Sequence, residues 1–207
     1  MKFRLRFSKG EAVRWLSHLD LSRAWSRVFV RSGLPLRYSE GFSPHPKIAF
    51  GPALPLGVGG RAEYMDVSMT EPLAAESVIE SLNRAAPRGL EVSAGAALPE
   101  GVKVKSLAAV VTTADYLFSV PLERCVRLDE ALTEVETIDK KVGDHKVSMT
   151  VRAPVRFKPL AAISEPLADI RVPWRAARVD RLGLWVNVNG RLLDPIEWVD
   201  EAFDKEF

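Results

Sequence analysis

The segment from Tyr38 to Gly60, YSEGFSPHPKIAFGPALPLGVGG, holds four of the fourteen prolines and five of the thirteen glycines. A regular helix does not survive that density of breakers. Pro44, Pro46, Pro52 and Pro55 fix φ and remove N–H donors, while Gly41, Gly51, Gly57, Gly59 and Gly60 admit close approaches and dihedrals that a Cβ forbids. Phe42, Ile48, Phe50, Leu54 and Leu56 are interleaved with them and call for burial. The segment is therefore expected as a stiff, packed loop that leads into a strand.

The elements around it follow from periodicity. Phe3, Leu5 and Phe7 alternate with Lys2, Arg4 and Arg6, which predicts a strand with one buried and one basic face. Ser17-His18-Leu19-Asp20 reads as a helix start, with Ser17 as cap and Asp20 beside the positive end. Leu21, Ala24, Trp25, Val28 and Phe29 form the apolar stripe of that helix, and Gly33 with Pro35 stops it. Strands are expected near Lys47–Phe50 and Glu63–Met69, a helix opened by Pro72 and stopped at Pro87-Arg88-Gly89, and a strand at Leu90–Ala94.

That order, βαββαβ, predicts a ferredoxin-like unit over residues 1–95, an antiparallel sheet with helices on one face and an open face for binding. Gly95–Val111 reads as a bridge. Residues 112–207 repeat the order: a strand at Tyr116–Val120, a helix at Leu122–Thr133, and a hairpin of Val135–Lys141 with His145–Arg152 turning at Gly143-Asp144. Arg181–Val188 with an Asn189-Gly190 turn adds another strand, and Asp194-Pro195 starts a short terminal helix. The fold class is thus α+β, as two ferredoxin-like halves.

Charge and cysteine content limit the function. The net charge is +2, but residues 1–50 carry ten Lys/Arg against three carboxylates, a net of +7, which leaves −5 for the rest. A basic end of this kind attracts phosphates, anionic ligands or an acidic protein; ordinary charge scatter is the plainer reading. The single cysteine, Cys125, rules out an internal disulfide and reads as a small core residue in a reducing compartment. No apolar run reaches the roughly 20 residues that span a bilayer, and MKFRLRF lacks a signal-peptide core. The expected setting is the cytoplasm, with no membrane association.

His18, His45 and His145 lack the short spacing of a metal site, and no glycine-rich loop precedes a helix in the manner of a nucleotide fingerprint. No metal or cofactor is expected. The candidate site is a constellation: His18 and Asp20 at the helix start, Tyr38, Ser39 and Glu40 before the stiff loop, then His45 and Lys47. Arg23, Arg27, Arg31 and Arg37 supply further cations for phosphates. His18 and His45 are also candidate acid and base for RNA transesterification. The competing readings are that His18 caps or packs beneath the loop, that Glu40 anchors backbone N–H groups, and that Tyr38 is a core aromatic. Trp174 between Arg171 and Arg175, with Arg178 and Arg181, makes a second basic-aromatic patch that could stack on or clamp a nucleic acid; a snorkelling surface over a buried indole is the more usual reading. Phe3, Phe7 and Tyr64 fall on buried positions, which argues against base stacking on the sheet face.

SHLDL at 17–21, RSGLPLRYSEGFSPHPKIAF at 31–50 and LPLGV at 54–58 resemble the bacterial radical-SAM-linked protein family, a domain of unknown function. The similarity covers roughly the first 95 residues and extends later mainly through RLGLWVNVNGRLLDP at 181–195. It implies a protein encoded beside, or fused to, a radical-SAM enzyme. Such an enzyme binds its iron–sulfur cluster through closely spaced cysteines, which this chain lacks, so its implied role is accessory. The expected function is an RNA-binding protein, not catalytic alone, that positions an RNA for a radical-SAM partner. The alternatives are a metal-independent endoribonuclease using His18 and His45, and an interaction module that docks on the radical-SAM protein.

Overall fold

The computed structural model describes residues 1–101, 104–164 and 177–203. It is a mixed α+β molecule with six α-helices among those residues and one large, mostly antiparallel sheet. Strand β1 (Lys2–Lys9) lies between β3 (Gly59–Ser68) and β4 (Leu90–Leu98), and short β2 (Ile48–Phe50) pairs with β3, all antiparallel. Helices α1 (His18–Ser32) and α2 (Ala75–Ala85) bury their stripes against Phe3, Leu5 and Phe7. The Ser17 Oγ accepts the Asp20 N–H at 3.1 Å, so the cap falls where the sequence places it. Pro72, in contrast, does not open α2. Leu73 is drawn against the core and the chain stays extended through Ala74, so the helix begins at Ala75.

Beyond α3 (Leu107–Val110), β5 (Val111–Pro121) pairs antiparallel with β7 (Lys146–Pro154) and β8 (Arg178–Val188), while β6 (Glu136–Val142) pairs with β7. Helices α4 (Cys125–Ala131) and α5 (Pro159–Ser164) lie between these strands in sequence, with the Cys125 side chain outside the described ones. A short β9 (Arg191–Leu193) and α6 (Pro195–Phe203) complete the chain. The strand path is β4-β1-β3-β8-β5-β7-β6. Its two parts meet at one parallel pairing, Gly59 with Asp180 and Gly60 with Arg181. Two apolar clusters result, one under β1 and the other around β5.

Three expectations are corrected. The second face of β1 is not open: Arg4 is wholly buried, donating from Nε and Nη2 to Asp66 at 2.8 and 3.0 Å and from Nη1 to the Pro195 carbonyl at 3.1 Å, with Trp198 5.7 Å away. Helix α6, packed on β1 and β4, covers that face. The segment Tyr38–Gly60 is not packed throughout. Leu54 is buried, but Leu56 is exposed, and so is Phe42, which lies in the turn of a hairpin that residues 37–47 form by folding on themselves. Lastly, β4 continues to Leu98 by pairing with Lys2, which shortens the bridge.

Candidate nucleic-acid interface

The hairpin is assembled from backbone bonds that the sequence only partly announces. Tyr38 and Pro46 are bridge partners; the Ser39 N–H donates to the His45 carbonyl at 2.8 Å, and the His45 N–H donates to Ser39 Oγ at 3.0 Å. At the base, the Lys47 N–H donates to the Arg37 carbonyl at 2.8 Å. The Arg37 N–H and Lys47 carbonyl both bond Ser68 of β3, at 2.9 and 3.0 Å. Arg37 and Lys47 therefore sit side by side against the sheet edge, both exposed. At the tip, Gly41 takes φ 120° and the Phe42 side chain is fully exposed, while Tyr38 is 41% exposed. Glu40 and His45 are exposed beside them. Pro44 and Pro46 stiffen the returning arm, so the aromatic is presented with little left to order.

Helix α1 carries the other cations. Arg23, Arg27 and Arg31 are exposed, and their four-residue spacing places them about 6 Å apart along the axis. Arg23 lies 3.7 Å from Asp20, and Arg31 donates to the Ala85 carbonyl at 2.9 Å. Arg31 lies in the last turn, from which residues 33–36 lead straight to Arg37. His18 is at the opposite end. Its ring meets Phe50 edge-on at 5.8 Å, and the 15 residues of α1 separate the two helix ends by about 20 Å. The structure brings Tyr38, Ser39, Glu40, His45 and Lys47 together; it places His18 and Asp20 elsewhere.

The second basic-aromatic patch changes character. Arg171, Trp174 and Arg175 lie outside the described residues. Arg181 is buried and donates from Nε to Glu63 Oε1 at 2.8 Å, from Nη2 to Glu63 Oε2, and from Nη2 to the Pro52 carbonyl at 2.8 Å. Arg178 donates to Asp180 at 2.7 Å and lies 3.4 Å from Glu11. These arginines join the two halves of the sheet; they do not form a clamp on a ligand.

Around them is a buried ionic cluster that the sequence does not reveal. Lys9 is almost fully buried on β1, with Nζ donating to the Leu16 carbonyl at 2.8 Å. Arg14 donates to the Gly57 carbonyl from Nε and Nη2, at 2.9 and 2.7 Å. The proline–glycine loop is thus pinned by guanidinium groups at Pro52 and Gly57, and its carbonyls are used in place of ladder bonds. Burial lowers the Lys9 ammonium from its ordinary 10.5 to about 8, with Glu63 opposing and Arg14 and Arg181 adding to the shift. Between about pH 8 and 10.5 the unfolded chain then binds more protons, so this group makes stability rise with pH, and its full cost is carried below 8. Replacing Lys9 by Met should remove that rise. Urea midpoints at pH 7.5 and 9.5 test this, and parallel shifts in wild type and variant would sink it.

A small cleft lies between His18, Phe50, Pro52, Leu54 and Glu63, with a cavity volume of only about 10 Å³. That is about the room one water molecule needs, so the cleft suits no small molecule of appreciable size. Among the described residues, no group of three His, Cys, Asp or Glu is placed to hold a metal, and no helix is long and apolar enough to cross a membrane.

Residues 2–153 match the model of a family described as an uncharacterized protein conserved in bacteria (DUF2344). No curated protein matches the chain. A crystal structure of an unknown protein from Galdieria sulphuraria aligns at 12% identity and a TM-score of 0.24, over 90% of this chain and 98% of that one. That likeness is too low to bear on the fold.

Proposed function

This chain belongs to that family of uncharacterized proteins conserved in bacteria, and we propose that it is an accessory RNA-binding protein of the cytoplasm that positions an RNA for a radical-SAM modification enzyme. The observation that carries the RNA reading is the run of exposed cations Arg23, Arg27 and Arg31 on α1, continued by the Arg37 and Lys47 pair at the hairpin base. Phosphate contacts are made by such surfaces, and they position a nucleic acid without reading its sequence. The strand orders β4-β1-β3-β2 and β8-β5-β7-β6, each built from βαββαβ, support reading the halves as ferredoxin-like. The radical-SAM partner rests on the resemblance at 17–21, 31–50 and 54–58 alone. An acid–base pair of His18 and His45 is not carried forward, because His18 packs on Phe50 of β2 while His45 is paired with Ser39 within the hairpin.

Filter binding of a single-stranded RNA across a salt series tests the proposal. Each phosphate contact contributes about 0.7 to the slope of log K against log salt for a single strand. The double variant Arg23→Ala, Arg27→Ala should weaken every sequence alike and flatten the slope by about 1.4. Affinity that is the same at low and high salt would overturn the reading.

A further inference from the structure

The exposed aromatic at the hairpin tip is not explained by phosphate binding. Phe42 is the most exposed large apolar side chain among the described residues, and it projects from a turn that Gly41 and the Ser39–His45 bonds hold in place. A solvated phenyl ring does nothing for the fold. Cations and aromatic are also segregated: Arg37 and Lys47 face each other at the base, Glu40 stands near the tip, and Phe42 lies beyond it. A phosphate is attracted to the base of this hairpin and repelled near Glu40, whereas a base has an apolar face to stack on only at the tip. A paired base in an A-form helix is not available to such a side chain, because the major groove is deep and narrow and the base faces are covered by their neighbours.

We infer that the hairpin takes an unpaired RNA nucleotide, stacking its base on Phe42 while the flanking phosphates lie against Arg37 and Lys47. Tyr38, half-exposed and bridged to Pro46, is placed to flank the same strand. The inference rests on the RNA-binding reading and narrows its ligand to single-stranded or looped segments. Base–aromatic stacking tolerates any base, so the hairpin selects unpaired structure and not sequence.

The experiment uses the whole chain with a single-stranded RNA carrying 2-aminopurine, whose fluorescence is quenched by stacking, and the same RNA annealed to its complement. Wild type should quench the single strand on binding and bind the duplex more weakly. Phe42→Ala should lose roughly tenfold to hundredfold in single-strand affinity, with the quench abolished and the salt slope unchanged, since the phosphate contacts remain. Phe42→Trp should retain both binding and quench. Unchanged affinity and quench in Phe42→Ala, or equal binding of duplex and single strand, would overturn the stacking inference while leaving the basic surface as an RNA site. No binding of either RNA by wild type at low salt would overturn both.

Discussion

Glu63→Ala should cost about 3–5 kcal/mol of folding stability, the usual consequence of stripping one partner from a buried ion pair. Glu63 holds both Nε and Nη2 of Arg181, and neither side chain reaches solvent to any extent. Without the carboxylate, a guanidinium that cannot lose its proton is left with the carbonyls of Pro52 and Ala53 and the Tyr116 hydroxyl. Lys9 loses its favourable neighbour at the same time. For a chain of this length each kcal/mol corresponds to roughly 2–4 °C, so the melting temperature should fall by roughly 10 °C. Chemical denaturation measures the loss. Adding Arg181→Met to Glu63→Met should restore part of it, because the costly species is the unpaired charge and not the missing bond. A loss below about 1 kcal/mol in Glu63→Ala would mean that water reaches the cluster.

Gly59→Ala should be the next most damaging change. An added Cβ would stand 2.2 Å from Asp180 Oδ1, at the single parallel pairing that joins the two halves of the sheet. Asp180 cannot simply swing away. It is buried and holds Arg178, which in turn approaches Glu11. Overpacking of this kind costs about 1–3 kcal/mol, and the strain falls on the seam between the halves. Hydrogen exchange should show Gly59, Gly60, Asp180 and Arg181 losing protection more than β6 or α2. Uniform loss across both halves, or none, would show that the seam is not a separate weak point.

The sequence alone was enough where a pattern is local. Ser17, the Leu21–Phe29 stripe and Gly33 specify α1 because capping and periodicity act within a few residues, and Asn189-Gly190 marks its turn for the same reason. Other features depended on distant chain. Arg4 sits in an alternation that says only that the two faces of β1 differ, and its burial is decided by Pro195 and Trp198 nearly two hundred residues later. Phe42 looked like a core residue beside Ile48 and Phe50, since hydrophobicity does not encode whether a loop folds inward or onto itself.

The candidate site divides in the same way. The cations of α1 and the prolines around His45 can be read from spacing, because helix pitch and fixed φ are intrinsic to those residues. That Tyr38, Phe42, His45 and Lys47 form one hairpin while His18 faces Phe50 could not be read, because it follows from which backbone groups pair across the sheet edge. Lys9, Glu63 and Arg181 show the limit most plainly. Each is an ordinary charged residue in its own strand, and only the docking of β3 on β8 removes them from water and makes them partners. Local chemistry determined the elements and the basic surface; the tertiary structure decided which charges are buried and which aromatic is left exposed, because desolvation depends on neighbours far away in sequence.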